Sequence, residues 1–355
     1  MNILLIGNYG YRNLGDDIFL YILVRYFLEK NTIKKIYIIC NKNYYDIKNK
    51  KVMFINSKDL SKIRYLLLII RSRYIIWGGG TLGFNKRPVS LLRIQKLSKL
   101  MNKKFGFIGI GINYINQKNK ELFEKANFLY VRDKKSYSIA LKNLTKNKNI
   151  FLGGDLAFLD LSIYPKTKKR INLYPKNISF SGKFWWGGSK AKFYAKQMMK
   201  FIKKYNSKIH LIPASMGEER FDNKYKKADD NKFHKKIYEY LPKNNCILHS
   251  WNKIDDYLKI INKMDLHFGN RLHSIIIADI LGIPNTGIVE DKHKISKIES
   301  YIDKHKQLKK ERLLDFMQSI NINKVKKILK IYKKPKRFII NESRTAKECL
   351  DKIFD

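Results

Sequence analysis

The chain is poor in cysteine, in acidic side chains and in long apolar runs. Cys40, Cys246 and Cys349 are the only three cysteines in 355 residues, and they lie far apart. No C-x-x-C pair exists, so neither a zinc site nor a disulfide framework is suggested, and a reducing cytoplasm fits. The most apolar internal run, Tyr65–Ile70, is bounded by Arg64 and Arg71 and is too short to cross a bilayer. The first residues, MNILLIGNYG, lack the charged start and long apolar core of a signal peptide and read as a first strand. A soluble or peripheral protein is expected.

Acidic residues number 30 against 74 lysines and arginines, a formal net charge of +44. Such a charge can be a field for polyanions, or it can reflect heavy use of lysine everywhere. The basic residues are dispersed and recur on predicted helix faces, as at Lys196, Lys200, Lys203 and Lys204. No nucleic-acid recognition signature accompanies them, which argues against nucleic acid as a partner. Attraction to an anionic membrane surface remains as a by-product, with a cytoplasmic protein peripheral on the inner face as the expectation.

What is present fits a folded chain of two domains. The length exceeds that at which single cores usually stop growing. A hydrophobic content of 44% can fill ordinary cores, and 13% aromatic residues argue against disorder. Short apolar runs alternate with amphipathic stretches. Ile3–Ile6, Ile36–Cys40, Tyr74–Trp77, Phe105–Ile110 and Leu129–Val131 read as strands. Asp17–Lys30, Leu60–Ile70, Ser90–Met101, Glu121–Asn127 and Ser136–Leu144 read as helices. After a lysine-rich connection, YPKTKKRINLYPK, a second alternating set runs to a last strand at Asn285–Val289. The expectation is an α/β protein with two Rossmann-like domains facing across a cleft, residues 1–165 and 172–323. Residues 324–355 form a basic tail, in which Val325, Ile328, Leu329 and Tyr332 make the apolar stripe of one helix ended by Pro335. That stripe can lie on anionic lipid or pack on the core.

The most informative stretch is DLHFGNRLHSIIIADILGIP, residues 265–284. It reads as strand, tight turn, helix. Asn270, Arg271 and His273 sit where the helix begins, where backbone N–H groups and the helix dipole favour an anion. An imidazole there can also donate a proton, since histidine titrates near neutrality. The plain alternative is a loop-capping arginine followed by a packed histidine.

Four further strand ends carry glycine. GNYGYRNLGDD, residues 7–17, places Asn13, Gly15, Asp16 and Asp17 at a helix start. It lacks the G-K-[ST] of a Walker loop and does not match G-x-G-x-x-G. WGGGTLG contains Gly79 and Gly80, and three successive glycines suggest close approach of a ligand or of the neighbouring domain. GFIGIGI and FLGGDLAF follow, the latter presenting Asp155. In LYVRDKKSY, Arg132 is a candidate second anion clamp, and Asp133 a helix cap.

Taken in order, these segments resemble the polysaccharide pyruvyl transferase family, over about residues 1 to 300. R-L-H before an apolar helix and G-I-P is the most specific element. The resemblance implies a GT-B fold. It also implies transfer of the enolpyruvyl group of phosphoenolpyruvate (PEP) to a sugar, giving a pyruvate ketal on a surface glycan or its lipid-linked precursor. PEP is then a donor substrate, with no cofactor and no metal expected. Its carboxylate and phosphate need cations, which Arg132, Arg271 and the helix N-terminus can supply. His273 is the candidate general acid toward the PEP methylene carbon. Asp16 or Asp155 is a candidate to activate or orient the acceptor hydroxyl. The family's lysine beyond the histidine has two candidates, Lys292 and Lys294 of EDKHK.

Two other classes compete. A nucleotide-sugar glycosyltransferase of the same fold would use an acidic residue near the last strand, such as Glu290 or Asp291, to hold a ribose. A non-enzymatic polyanion binder would rest on the charge alone. WWGG, residues 185–188, is a candidate sugar platform, with domain packing as its alternative.

Overall fold

A computed structural model describes residues 1–82, 88–166, 171–217, 228–290, 296–304 and 309–355. The chain divides into two compact units. The first comprises Met1–Tyr11, Gly15–Leu161 and Ile339–Asp355, and the second Arg12–Leu14 and Ser162–Phe338.

The first unit is built on the strands β1 (Asn2–Ile6), β2 (Lys35–Cys40), β3 (Val52–Asn56), β4 (Tyr74–Gly78), β5 (Thr81–Leu82), β6 (Lys104–Ile112), β7 (Phe128–Val131) and β8 (Ile150–Leu152). They run in the order β3-β2-β1-β4-β6-β7-β8, with β5 added to β6, and the pairings are parallel. Ile3 lies opposite Ile36 on one side and Tyr74 on the other. Parallel strands are covered by helices on both faces, which explains why Ile3, Leu4, Leu5, Ile75 and Ile76 form unbroken buried runs rather than alternating ones.

The second unit repeats the plan with β9 (Asn177–Ser181), β10 (Lys208–Leu211), β11 (Cys246–Leu248), β12 (Leu266–Gly269), β13 (Asn285–Val289) and β14 (Leu313–Asp315), in the order β11-β10-β9-β12-β13-β14. Both orders reverse direction once, between β1 and β4 in the first sheet and between β9 and β12 in the second. In open α/β sheets the crevice at the carboxyl ends of such a pair is where ligands bind.

The sequence reading omits β3, β5, β8 and β14, and two helices, Lys297–Lys304 and Lys309–Arg312. It also treats the C-terminal tail as one piece. Instead, Pro335 separates two helices, Ile322–Ile331 and Lys336–Phe354. The stripe Val325, Ile328, Leu329 and Tyr332 is buried in the second unit and is not available to lipid. The last helix belongs to the first unit. Phe354 packs edge-on against Phe27 and Tyr74, each at 5.0 Å between ring centres. Asp351 accepts from Tyr26 Oη at 2.7 Å and from Lys30 Nζ at 2.9 Å. Among the described residues no helix is long and apolar enough to cross a membrane.

A buried polar knot ties the outer helices of the second unit to the helix Leu272–Leu281. Arg312 Nη2 bonds both carboxylate oxygens of Asp279 at 2.9 Å. Asn285, Tyr301 and Tyr332 also donate to Asp279, at 2.8, 3.0 and 2.8 Å. Arg312 and Asp279 are fully buried, and so many hydrogen bonds are what make an interior ion pair tolerable.

Candidate active site at the strand ends of the second unit

The switch point of the second sheet brings together the segments that follow β9 and β12. After β9 come Gly182, Lys183, Phe184, Trp185 and Trp186. After β12 come Asn270 and Arg271, then the helix Leu272–Leu281 with Arg271 as its N-cap residue. An N-terminal first turn has amide groups with no carbonyl in their own helix. His273 sits in that turn and is half-buried.

Arg271 is held from both its side chain and its backbone. Its guanidinium meets the Asp230 carboxylate in a fork, Nη2 to Oδ1 at 2.5 Å and Nε to Oδ2 at 3.2 Å. Asp230 is fully buried at the start of the helix Asn231–Glu239. It also accepts from Phe184 N at 3.1 Å and Ser215 N at 3.0 Å. One carboxylate therefore fixes both the β9 loop and the arginine. Burial raises the Asp230 carboxyl above the ordinary range, and the Arg271 charge opposes that shift.

The backbone hold is a chain of buried groups. Ser274 Oγ donates to the Arg271 carbonyl at 2.8 Å. His267 Nε2 lies 3.0 Å from Ser274 Oγ, and His267 Nδ1 lies 2.8 Å from Ser179 Oγ. Burial pushes the His267 imidazole down to about 3, so it is neutral and carries one ring proton. The serine proton goes to the carbonyl, so Nε2–H donates to Ser274 and Ser179 donates to Nδ1. Asn270 joins strands as well. Its N–H bonds Ser181 O at 2.9 Å, and its Nδ2 bonds Ile288 O at 2.5 Å. Ser181 Oγ and Asn270 Oδ1, both buried at these two strand ends, have no hydrogen-bond partner among the described residues.

The aromatic pair separates by role. Trp186 is buried and stacks on Tyr194 with ring centres 5.3 Å apart. Trp185 is half-exposed, with Lys183 Nζ 4.9 Å and the Arg271 guanidinium carbon 5.3 Å from its ring centre. Lys183 Nζ pairs with Glu290 Oε2 at 2.7 Å, and Trp186 Nε1 donates to Glu290 Oε1 at 2.5 Å. Burial lowers the Lys183 ammonium below its usual range, and Glu290 counteracts this.

In the first unit the other expected site residues are placed by their own neighbours. Arg132 follows β7 and is buried, with Nη1 3.5 Å from Asp155 Oδ2. Two residues expected to face substrate therefore face each other. Asp133 caps its helix by accepting from Ser136 N at 2.8 Å, and Asp155 caps a short 3-10 turn by accepting from Ala157 N at 3.1 Å. Gly80 and Asp16 are neighbours across the β1–β4 switch point: a Cβ at Gly80 would lie 3.5 Å from Asp16 Oδ1. Gly79 has φ +75° and backs onto the Phe19 ring, while Gly78 backs onto the Tyr9 hydroxyl. Packing inside the unit accounts for these two glycines without a ligand. Asp17 is structural, accepting from Gly10 N and from Tyr45 Oη. Gly15 is buried in the first turn of the helix Leu14–Glu29. Asn13 belongs to the second unit and bridges to Ser215. Lys292, Lys294 and Asp291 lie outside the described residues.

The family model for polysaccharide pyruvyl transferases matches residues 13–292. The chain belongs to that family. No match is found among the curated proteins. Among solved structures, the UDP-GlcNAc 2-epimerase from Neisseria meningitidis bound to UDP-GlcNAc is similar with a TM-score of 0.61 at 13% identity, covering 99% of this chain and 100% of that one. The Methanocaldococcus jannaschii UDP-GlcNAc 2-epimerase gives 0.60 at 12%, with 99% of each chain covered. Sucrose-phosphate synthase from Thermosynechococcus elongatus gives 0.54 at 10%, covering 100% and 95%. These are GT-B enzymes, and at such identities the likeness shows the fold alone.

For this pyruvyl transferase family member, sequence reasoning singles out Asn270, Arg271 and His273, which lie together at one switch point, but not the groups packed around them, Asp230, Lys183 and the Ser179–His267–Ser274 chain. Asp230 stands in KADDNK, where an aspartate before a helix reads only as a cap. Lys183 is one lysine among many.

Proposed function

We propose that the protein transfers the enolpyruvyl group of PEP to two hydroxyls of a glycan, or of its lipid-linked precursor, forming a pyruvate ketal and releasing phosphate. The observation that carries this reading is Arg271, locked by Asp230 and Ser274 at the second unit's switch point, with His273 in the first turn beyond it. A fixed guanidinium and a helix N-terminus suit an anionic donor. In this reading His273 gives a proton to the PEP methylene carbon, leaving an oxocarbenium-like centre at C2. A sugar hydroxyl adds there and loses its proton. A second hydroxyl then bonds C2 and loses its proton, as the bond from C2 to the bridging oxygen breaks and that oxygen leaves with phosphate. The cations carry the charge that builds on the leaving group.

The nucleotide-sugar alternative needs Glu290 or Asp291 for a ribose; Glu290 accepts from Lys183 and Trp186, and Asp291 lies outside the described residues. The test is phosphate release from PEP with a panel of sugar acceptors, followed by mass analysis of the products. Arg271→Ala and His273→Ala, shown to be folded by circular dichroism, are expected to lose transfer. Unchanged rates in both would refute the assignment.

A further inference from the structure

The two cations beside Trp185 have counter-ions of different kinds. Asp230, which holds Arg271, is fully buried and anchored by two backbone amides besides, so it cannot leave. Glu290, which holds Lys183, keeps 30% of its side chain exposed, and among the described residues it is held by two side chains, Lys183 and Trp186. Trp186 is locked in the core, so its indole N–H stays as an anchor for Glu290 when Lys183 is released. Lys183 itself is mostly buried, and both its burial and the nearby Arg271 charge work against its ammonium. A second positive charge kept in that position needs an anion. Two residues before Lys183 in the chain, at the end of β9, Ser181 Oγ is a buried polar atom without a partner among the described residues. A hydroxyl can donate to a phosphoryl oxygen.

We propose that Lys183 is the second cation of the Arg271 site, and that Glu290 is a resident carboxylate which the phosphoryl group of the substrate displaces from it. The proposal rests on the reading of Arg271 as an anion clamp. It adds a residue after β9 to a site otherwise built after β12, and it specifies a phosphoryl dianion as the recognised group. Glu290 holds the ammonium charged and in place until that dianion arrives, and then competes with it. The two residues of one ion pair should therefore act in opposite directions on affinity, which a purely structural pair would not do.

The test is calorimetric binding of PEP, inorganic phosphate and UDP to the intact protein and to Lys183→Met, Lys183→Arg and Glu290→Gln. Lys183→Met is expected to weaken the phosphoryl ligands about tenfold, Lys183→Arg to weaken them less, and Glu290→Gln to tighten them several-fold. Weakening by Glu290→Gln, or no change in any variant, would overturn the proposal. Should Lys183→Met fail to fold, the sign of the Glu290→Gln effect decides alone. If UDP and phosphate follow the pattern but PEP does not bind, the paired-cation site stands and the PEP reading falls. If Arg271→Ala abolishes PEP binding while the Lys183 and Glu290 variants bind like the parent, the PEP reading stands and this inference falls.

Discussion

At the scale of single residues, Asp230 shows how far one carboxylate can organise a site. It is fully buried, and its bonds to Arg271, Phe184 and Ser215 join three segments. The fork to Arg271 is not an ordinary surface pair, yet Arg271 keeps 22% of its side chain exposed, so the interaction is partly screened. Arg271→Met should therefore destabilise the fold by on the order of 2 kcal/mol at neutral pH, below the range for wholly buried pairs. The pH dependence follows from the direction of the Asp230 shift. Burial already raises this carboxyl, and removing the opposing Arg271 charge raises it further. A folded-state value above the unfolded one means that the native protein binds the proton more tightly. Its contribution is complete below the unfolded carboxylate range and is lost as pH rises through the folded value. The gap in melting temperature between parent and Arg271→Met should thus be small near about pH 4 and widen toward about pH 7. A gap that stays constant across that range would show that Asp230 is not the group left behind. None of this is legible in KADDNK. The chemistry of GNRLHS is local and can be read along the chain, whereas the partner of its arginine is fixed by a pairing of distant segments.

At the scale of elements, the unit to consider is β12 with its following helix. Gly269 ends the strand, and a Cβ there would lie 2.6 Å from both His267 Nε2 and Ser274 Oγ. Neither side chain can give way, because each is held in the chain from Ser179 to the Arg271 carbonyl. Gly269→Ala should cost about 1–3 kcal/mol, as overpacking does in a filled interior, and should also weaken PEP binding by shifting Arg271. Gly282→Ala is the control. That glycine ends the same helix with φ +75°, so alanine there strains the backbone by about 1 kcal/mol but leaves the strand end alone. Urea unfolding and PEP binding of the two variants separate these effects; equal binding losses would mean that the helix acts as a rigid whole. The long alternating elements, such as Leu14–Glu29 and Gly188–Tyr205, were legible because each carries enough turns for its apolar face to declare itself. β3, β8 and β14 are edge strands and only partly buried, so they lack the unbroken apolar run that marks the inner strands. The glycine loops carry a second, purely structural signal. Gly78, Gly79, Gly106 and Gly153 make room for Tyr9, Phe19, Phe128 and Tyr130, side chains that lie far away in sequence or on a neighbouring strand. A glycine needed for internal packing looks the same in a sequence as one needed for a ligand.

At the scale of the whole molecule, the chain returns to its first unit for its last helix. Phe354 meets Phe27, Tyr74 and Phe128, so the C-terminal helix completes the core that β1 begins. Phe354→Ala should destabilise by about 3–5 kcal/mol, visible as a lowered midpoint in denaturant, and an unchanged midpoint would show that the helix only rests on the surface. The same arrangement decides how the charge of +44 can act on membranes. A basic amphipathic helix binds lipid by inserting an apolar face as well as by attraction. Here the stripe of Ile322–Ile331 is buried in the second unit, so the tail can act by attraction alone. Attraction between exposed charges is screened beyond about 10 Å at 0.1 M salt. The protein should therefore sediment with vesicles containing anionic lipid at low salt, remain free of vesicles made only of phosphatidylcholine, and be released at about 0.5 M sodium chloride. Retention at that salt would show an apolar surface entering the bilayer, either Ile63, Leu67 and Ile70, which the helix Lys62–Arg71 already exposes, or the tail helices after leaving the cores they now fill.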